Sequence, residues 1–472
     1  MSELTGATLA AGFFVFWLLL VETASRRKIL GPEAGRKALH LGGGLGCLAF
    51  PLLVESPITV LLLALGFASV FAWGERGALA CLSRVSRHSR GGIYFPFAVA
   101  GVFWLTADRP GLYLASMLVL TLSDAAAALA GARFGRFHFR VGGVAEHKSL
   151  EGSFMFFVIS LLAIILPLRL LDGLDLPHAF LAALLTATLL TGVEAVSIAG
   201  RDNLYVPMAA AFILLKVVSK PVPELLLQTF SLLALFTLVF LFNRRMLRTQ
   251  ALVTIFLMVY AVWALGSIDW AVPLLTASAA FAVCFEKTGA TQRATRVYRR
   301  MTLLAAPAVT TVLIANLTGI FSFAFAPYLA AILVPLLWGV QRQGTAHADE
   351  ALPTLAPRRL LLMFLIGLAV LAFPLFRGLH PDPMAVLILT ATVGITLWLG
   401  WKANTRLPTF RGGRGVLFTT LATMLILAGL QTNRCLACWR PGLWADQYDR
   451  EADVLFPLQA HWLQHIGGPE CN

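Results

Sequence analysis

Charged side chains are scarce in this sequence. Asp, Glu, Lys and Arg make up 13% of the 472 residues, against roughly 25% in soluble domains. Hydrophobic residues make up 58% of the chain, and the mean hydropathy is +0.79. So little charge excludes an intrinsically disordered chain, which is rich in polar residues, and it is not typical of a soluble domain.

Alternating polar and apolar positions, which are typical of membrane β-strands, are also lacking. Instead, continuous apolar runs recur along the whole chain, with lengths of roughly 20 residues, enough for a helix to cross the hydrocarbon core. Only helices and closed barrels satisfy their backbone hydrogen bonds in lipid. We therefore predict an all-α fold, a polytopic transmembrane helical bundle of about 16 spans.

No Lys or Arg precedes the first apolar run, whereas Arg26, Arg27 and Lys28 follow it. Since a cleaved signal peptide has a basic leader, we expect this run to be a retained helix. Basic residues then recur in alternate loops, which is the positive-inside pattern of membrane proteins. The pattern explains the net charge of +13 without a nucleic-acid partner, and it predicts that both termini lie outside and the basic loops in the cytoplasm.

Cysteine is rare as well, with six residues in the chain. Cys435 and Cys438 form a CxxC after the last apolar run, and Cys471 follows them. The spacing is compatible with a zinc site, but an exported tail lies in an oxidising compartment, where disulfides form. We favour a disulfide or no special role over a zinc site, and whether these cysteines form a disulfide is left open.

Two membrane domains and a tail are predicted. Residues 1–245 contain about nine predicted spans and nearly all the polar residues that interrupt apolar runs, whereas residues 250–430 contain about seven spans. A basic stretch, NRRMLRTQ, separates the two domains, and no internal repeat relates them. Residues 431–472 form a short extracytoplasmic tail that is too small for a sizeable core of its own.

The strongest polar cluster lies within residues 121–153. Asp124, Ala128, Gly131 and Gly135 are spaced to fall on one stripe of a helix. A carboxylate inside a span is costly and is a candidate functional residue by default. The two glycines have the GxxxG spacing that often serves helix packing alone, but packing does not explain the aspartate.

A polar segment follows this helix. Its glycines and serines present N–H and hydroxyl donors to phosphate oxygens, and its lysine supplies a positive charge for them. Mg²⁺ is usually held by one or two carboxylates together with substrate phosphates, which makes Asp124 and Glu151 candidate ligands, although Glu151 could instead only cap the next helix. The phosphate-binding candidates of this segment are Gly142, Gly143, Lys148, Ser149, Gly152 and Ser153.

Three more polar clusters interrupt the apolar pattern of the first half, and one of them is SRGGIYFPF, residues 89–97. The charge alternation predicts that they share the cytoplasmic side with the first cluster, where cytoplasmic nucleotides reach them. Asp-Asn in a turn is ordinary turn chemistry, but that argument does not explain a nearby glutamate inside a span. The candidates in these clusters are Arg36, Lys37, His40, Glu194, Asp202 and Asn203.

The motifs occur in an order that resembles a known family. RKxxH, GGIYFP, SDxxAxxxGxxxG with KSxEGS, and ExxSxxGxDNLxVP follow one another, and together they resemble the phytol kinase and dolichol kinase family of CTP-dependent polyprenol kinases. The resemblance covers roughly residues 30–220, and the second half of the chain is not recognised. KSLEGS is also similar to part of the CDP-diacylglycerol synthase signature, but RDNLYVP stands in place of the C-terminal motif of that synthase.

The resemblance implies transfer of the terminal phosphoryl group of CTP to an isoprenoid alcohol of the bilayer, such as phytol, dolichol or another polyprenol, with Mg²⁺ as cofactor. The expected catalytic residues are Asp124, Lys148, Glu194 and Asp202, and either Asp202 or Glu194 accepts the proton of the alcohol. The residues expected to bind the nucleotide and its phosphates are Arg36, Lys37, His40, Gly131, Gly135, Gly142, Gly143, Ser149, Gly152, Ser153 and Asn203. A cytidylyltransferase that forms a CDP-lipid and a non-enzymatic lipid transporter remain alternatives.

Overall fold

The structure is a computed structural model of the chain. The chain divides into two compact units, Met1–Ala234 and Leu235–Asn472, which we call the N-terminal and the C-terminal unit. The predicted domain bounds at 245 and 250 stay predictions, and Cys435, Cys438 and Cys471 lie outside the described residues. The structure describes residues 2–74, 91–140, 147–197, 200–243, 249–266, 268–285, 306–316, 321–342, 391, 393–395 and 419–427.

Nearly all of the described residues are helical. In chain order up to residue 243, the helices are α1 (Glu3–Arg26), α2 (Pro32–Cys47), α3 (Phe50–Leu53), α4 (Pro57–Trp73), α5 (Gly91–Leu105), α6 (Pro110–Leu118), α7 (Asp124–Phe134), α8 (Leu150–Leu170), α9 (Leu176–Val196), α10 (Asp202–Val217) and α11 (Val222–Asn243). Six of them, α2, α3, α4, α6, α9 and α11, carry proline in the first two positions. Proline suits these positions because its φ is preset and its missing N–H has no intrahelical partner there.

Four helical segments within the described residues are long and apolar enough to cross a membrane: Glu3–Arg26, Pro110–Phe134, Leu150–Leu170 and Leu176–Val196. Several shorter apolar helices accompany them. The helical membrane character predicted from the sequence is thus confirmed, while the count of about 16 spans and the sides of the two termini stay predictions.

The outer surface of the N-terminal unit is apolar. Phe16 and Leu19 on α1 expose 63% and 59% of their surface. Contiguous exposed apolar surface of this kind marks an interaction with a partner or with lipid. The interior is instead built from small and apolar residues of neighbouring helices, such as Val60, Val102 and Tyr113, so that the unit is apolar both inside and out.

Helix α8 is central to the N-terminal unit, because it packs against α6, α7 and α9. Helix α10 packs against α5, α6 and α9, and α2 packs against α1. The ends of α7 and α9 and the beginnings of α8 and α10 therefore belong to one packed group of helices, which is the arrangement that the candidate site requires.

A π-helical turn, Val119–Ser123, joins α6 to α7. Helix α2 lies directly against this turn, since a Cβ atom added to Gly44 would overlap the side chain of Thr121. Isolated π turns inside α-helices occur frequently at functional sites, and this turn ends immediately before Asp124.

A short β-hairpin is the exception to the predicted all-α fold. Strands β1 (His138–Arg140) and β2 (His147–Ser149) pair antiparallel, with His138 opposite Ser149. Three residues per strand are too few for period-two hydrophobic alternation to mark them in the sequence. The hairpin matters because it carries Lys148 to the start of α8.

The C-terminal unit contains α12 (Thr249–Leu265), α13 (Ile268–Phe285), α14 (Ala306–Asn316) and α15 (Phe321–Arg342). Helix α13 packs against α12 and α15. Helices α13 and α15 meet through aromatic residues. The ring centroids of Trp270 and Phe325 lie 4.9 Å apart, and the Tyr328 hydroxyl donates to the Trp270 carbonyl. This unit therefore has a core of its own.

Candidate active site

A cavity of about 400 Å³ opens in the N-terminal unit. It is lined by residues of α2, α7, the hairpin, the start of α8, and the turn between α9 and α10, which are far apart in the sequence. All the predicted polar clusters except the GGIYFP segment contribute to it. Its lining consists of Arg36, Lys37, His40, Asp124, Ala125, Ala127, Ala128, Gly131, Ala132, His138, Lys148, Ser149, Gly152, Ser153, Glu194, Ser197, Gly200, Asp202 and Asn203.

His40 connects α2 to the residues around the π turn. Its Nε2 lies 3.2 Å from the carbonyl oxygen of Leu120, to which it donates, and 3.7 Å from Oδ2 of Asp124. The imidazole also meets the ring of Phe95 edge to face, with 5.5 Å between centroids. His40 is held by the Leu120 carbonyl and the Phe95 ring, and it lies beside the Asp124 carboxylate at the edge of the cavity.

Asp124 is the first residue of α7, and its side chain is 36% exposed. Its charge interacts with those of His40, Asp202, Lys148 and Arg36. These residues come from three of the sequence clusters, so the electrostatic coupling agrees with the geometry of the cavity. Asp124 is therefore a carboxylate that a ligand in the cavity can reach.

Lys148 and Glu194 form a buried ion pair across the cavity. The Nζ of Lys148 lies 2.6 Å from Oε1 of Glu194 and also donates to the backbone carbonyl of Glu194. The two side chains are only 17% and 10% exposed. A carboxylate inside a span is costly unless it is paired, and this lysine supplies the pairing.

The start of α8 supplies donors to the cavity. Ser149 is the N-cap of the helix, and its Oγ accepts from the N–H of Gly152 at 3.1 Å, while the Oγ of Ser153 is buried with no partner among the described residues. Helix α7 approaches closely here, because a Cβ atom on Gly131 would lie 2.9 Å from Ser149 Oγ. The free N–H groups of a helix N-terminus are suited to anions.

Asp202 and Asn203 begin α10, and both line the cavity. The Oδ1 of Asp202 accepts from the N–H of Asn203 at 3.1 Å. An aspartate in the first turn of a helix is stabilised as the anion by the helix dipole. The cavity is thus bordered by two helix N-termini, those of α8 and α10.

Two predicted site residues are not brought into the cavity. The Oε1 of Glu151 accepts from the backbone N–H groups of Arg136 and Phe137, at 2.9 and 3.2 Å, so Glu151 holds the end of α7 to the start of α8 instead of lining the cavity. Gly135 ends α7, where an added Cβ atom would lie 3.1 Å from the Cβ of Ser149. These placements favour the helix-cap and packing alternatives for the two residues, and Gly142 and Gly143 lie outside the described residues.

Sequence reasoning missed His138, Ser197 and Gly200, which also line the cavity. His138 reaches it because the hairpin register sets it opposite Ser149. Ser197 and Gly200 flank the turn between α9 and α10. Both stand in the motif ExxSxxGxDNLxVP, which is the signal by which they were identifiable beforehand.

Comparison with known proteins identifies one informative relative. A phytol kinase of Synechocystis sp. is 30% identical to this chain over 216 residues, which make up 43% of this chain and 88% of that protein. The remainder of the chain is unmatched by it. No family model matches the chain, and no solved structure matches it.

Proposed function

Because this chain belongs to the phytol kinase family, we propose that it transfers the terminal phosphoryl group of CTP to an isoprenoid alcohol dissolved in the membrane. The products are CDP and an isoprenyl monophosphate. The observation that supports this proposal is the convergence of Arg36, Asp124, Lys148 and Asp202 on one cavity, although these residues are spread over the sequence from position 36 to position 202.

Phosphoryl transfer requires positioning and neutralisation of charge more than covalent chemistry from the protein. Arg36 and Lys37 bring positive charge to the cavity, and the starts of α8 and α10 bring N–H donors. A nucleoside triphosphate is a polyanion, so both features favour its phosphates. We propose that these groups hold the triphosphate.

The cavity residues also fit a magnesium ion. Among the residues that the structure describes, no group of three His, Cys, Asp or Glu side chains is arranged to hold a metal by itself. Mg²⁺ in kinase sites needs only one or two carboxylates, since phosphate oxygens and water complete its shell. We propose that Asp124, aided by Asp202, holds Mg²⁺, which when bound neutralises the charge that develops on the phosphates. Glu151 is not included, because its carboxylate is engaged by the backbone of residues 136 and 137.

The alcohol reaches the cavity from the bilayer under this proposal. Glu194 belongs to Leu176–Val196, one of the segments able to cross a membrane, and the exposed surface of the unit is apolar. An isoprenoid chain can lie against such a surface while its hydroxyl group enters the polar cavity. We propose the cytoplasmic side as the location of the cavity, because the basic loops of the sequence follow the positive-inside pattern.

Product analysis tests the proposal. Purified protein is incubated with CTP, Mg²⁺ and a panel of alcohols (phytol, a short polyprenol and dolichol), and both the nucleotide and the lipid products are identified. The proposal predicts CDP together with a lipid monophosphate. Pyrophosphate and a CDP-lipid would indicate a cytidylyltransferase instead, and the absence of any nucleotide-dependent lipid product would contradict the proposal. Replacing CTP with ATP in parallel reactions tests the choice of donor.

A further inference from the structure

The ion pair between Lys148 and Glu194 leaves one carboxylate oxygen available to a ligand. Both contacts of the Lys148 ammonium go to Glu194, one to Oε1 at 2.6 Å and one to the backbone carbonyl of the same residue. These contacts fix the position of the carboxylate relative to the end of α9. The second oxygen, Oε2, is buried and has no hydrogen-bond partner among the described residues.

Glu194 is more deeply buried than the other two carboxylates of the cavity, Asp124 and Asp202. Only 8% of the residue is exposed, whereas the Asp124 side chain is 36% exposed and Asp202 is half-buried. A buried carboxylate oxygen without a donor is costly and is rarely left so in a functional protein. A ligand that enters the cavity with a hydrogen-bond donor would satisfy it.

The phosphates of a nucleotide cannot be that ligand, because their oxygens are acceptors and carry the same charge as the carboxylate. The hydroxyl group of an alcohol is a donor. It is also the group whose proton must leave when a phosphate ester forms. The position of Glu194 within a membrane-crossing segment sets its carboxylate where a lipid hydroxyl can meet it.

We propose that Glu194 is the catalytic residue that binds the hydroxyl of the lipid alcohol through Oε2 and accepts its proton, and that Lys148 is the positioning residue for Glu194. This inference rests on the proposed function and resolves the earlier choice between Asp202 and Glu194. It also revises the expected role of Lys148, whose observed contacts are made to the base.

In the proposed reaction, the alcohol replaces the nucleoside diphosphate on the terminal phosphorus. The oxygen of the alcohol forms a bond to the terminal phosphorus as the O–H proton passes to Oε2 of Glu194. The bond between that phosphorus and the bridging oxygen breaks, and the nucleoside diphosphate leaves with its electron pair. Glu194 then returns the proton to water, and the carboxylate is regenerated for the next turnover.

Variants of the full-length protein test both roles. Glu194→Gln keeps an oxygen that can accept from Lys148 but cannot take a proton, and Lys148→Met removes the positioning contacts. We expect Glu194→Gln to lower kcat by about 10²–10⁴-fold, the usual contribution of a general base, with unchanged affinity for Mg-CTP and an unchanged Mg²⁺ requirement. We expect Lys148→Met to lower kcat with unchanged Mg-CTP affinity, and the double variant to be no slower than Glu194→Gln alone, because the two residues act as a unit.

A matched control is available at the start of α11, where Lys220, just before the helix, and Glu224 form a more exposed ion pair outside the cavity. Glu224→Gln and Lys220→Met are expected to leave kcat unchanged. Lys148→Arg is expected to recover part of the activity lost in Lys148→Met, which would separate positioning from a failure to fold.

Three results would overturn the inference while the proposed function stands: near wild-type turnover by Glu194→Gln, a raised Mg²⁺ requirement in that variant, or weakened Mg-CTP binding in Lys148→Met. The second would make Glu194 a metal ligand, and the third would make Lys148 a phosphate-binding residue. If wild-type protein phosphorylates no alcohol, the proposed function fails and the inference fails with it.

Discussion

At the scale of single residues, the polar groups in and around the cavity are divided between those that a ligand can reach and those that hold others in place. Asp124 is accessible, while His40 contacts both Asp124 and the Leu120 carbonyl. Glu151 belongs to the second class, because it accepts hydrogen bonds from the backbone at the end of α7. Sequence spacing alone does not separate these classes, since Glu151 stands in the same short motif as Ser153, which lines the cavity.

The structure therefore predicts a structural role for Glu151. Glu151→Ala removes the acceptor of the Arg136 and Phe137 N–H groups, so we expect a lower melting temperature in detergent. Because Glu151 does not line the cavity, the Mg²⁺ concentration for half-maximal activity should not change. Measuring both quantities on the same preparation separates the roles, and a raised Mg²⁺ requirement with an unchanged melting temperature would restore Glu151 as a metal ligand.

At the scale of elements, close helix contacts position the site. Helix α2 carries three of the lining residues, and its place depends on the contact between Gly44 and the π turn that precedes Asp124. The predicted helices were recognisable from their apolar runs. The π turn and the hairpin were not, because the turn has five residues and each strand of the hairpin has three, too few for a periodic pattern of their own.

Two neighbouring glycines of α2 provide a test of this contact. A Cβ atom on Gly44 would overlap the Thr121 side chain, whereas one on Gly43 would lie at ordinary contact distance, 3.8 Å, from Phe95. We expect Gly44→Ala to destabilise the protein by about 1–3 kcal/mol, as overpacking does, and to lower kinase activity. Gly43→Ala should be close to wild type in thermal denaturation and in activity. Equal behaviour of the two variants would contradict a tight contact between α2 and the π turn.

Asp172, in the turn between α8 and α9, makes stability depend on pH. Burial raises the pKa of its carboxyl, and the nearby Arg109 opposes this only in part. The folded state therefore retains the proton to higher pH than the unfolded state does. Stability contributed by this residue falls as the pH rises from the ordinary aspartate value, about 3.9, to the raised value, and the loss persists above it.

We accordingly expect Asp172→Asn to melt at a higher temperature than wild type at pH 7, with a difference that shrinks as the pH is lowered towards 4. Asp175→Asn, which removes the same charge from a more exposed side chain of the same turn, is the control and should lack this pH-dependent gain. Thermal denaturation in detergent across this pH range measures both. A lower melting temperature of Asp172→Asn at pH 7 would show that the attraction to Arg109 outweighs the burial.

At the scale of the whole molecule, the candidate site belongs to the N-terminal unit alone. The related phytol kinase is matched over 88% of its length by 43% of this chain, so less than half of this chain corresponds to nearly the whole of that protein. Motif order in the sequence was sufficient to identify the family and most of the lining residues. It was not sufficient to assign roles, because the pairing of Lys148 with Glu194 depends on how α8 and α9 pack.

Because the candidate site belongs to the N-terminal unit, we predict that the second half of the chain is dispensable for phosphoryl transfer. A chain that ends after Asn243 keeps every lining residue of the cavity, and we expect it to retain nucleotide-dependent phosphorylation of the alcohol, with kcat similar to that of the full chain. The measurement is product formation by both proteins in the same lipid mixture. Loss of activity by a shortened protein that still melts cooperatively would give the second half a part in the reaction.

Transfer of radiolabel from the terminal phosphate of CTP to phytol or a polyprenol tests the central claim most directly. Wild type is compared with Asp124→Asn and with a control, Asp108→Asn, which alters an exposed aspartate in the turn before α6. We predict labelled lipid monophosphate from wild type and from Asp108→Asn, and a loss on the order of 100-fold or more in Asp124→Asn, because the proposed ligand of the Mg²⁺ that neutralises the reacting phosphates is removed. Undiminished transfer of label by Asp124→Asn would show that this cavity is not where the phosphoryl group moves.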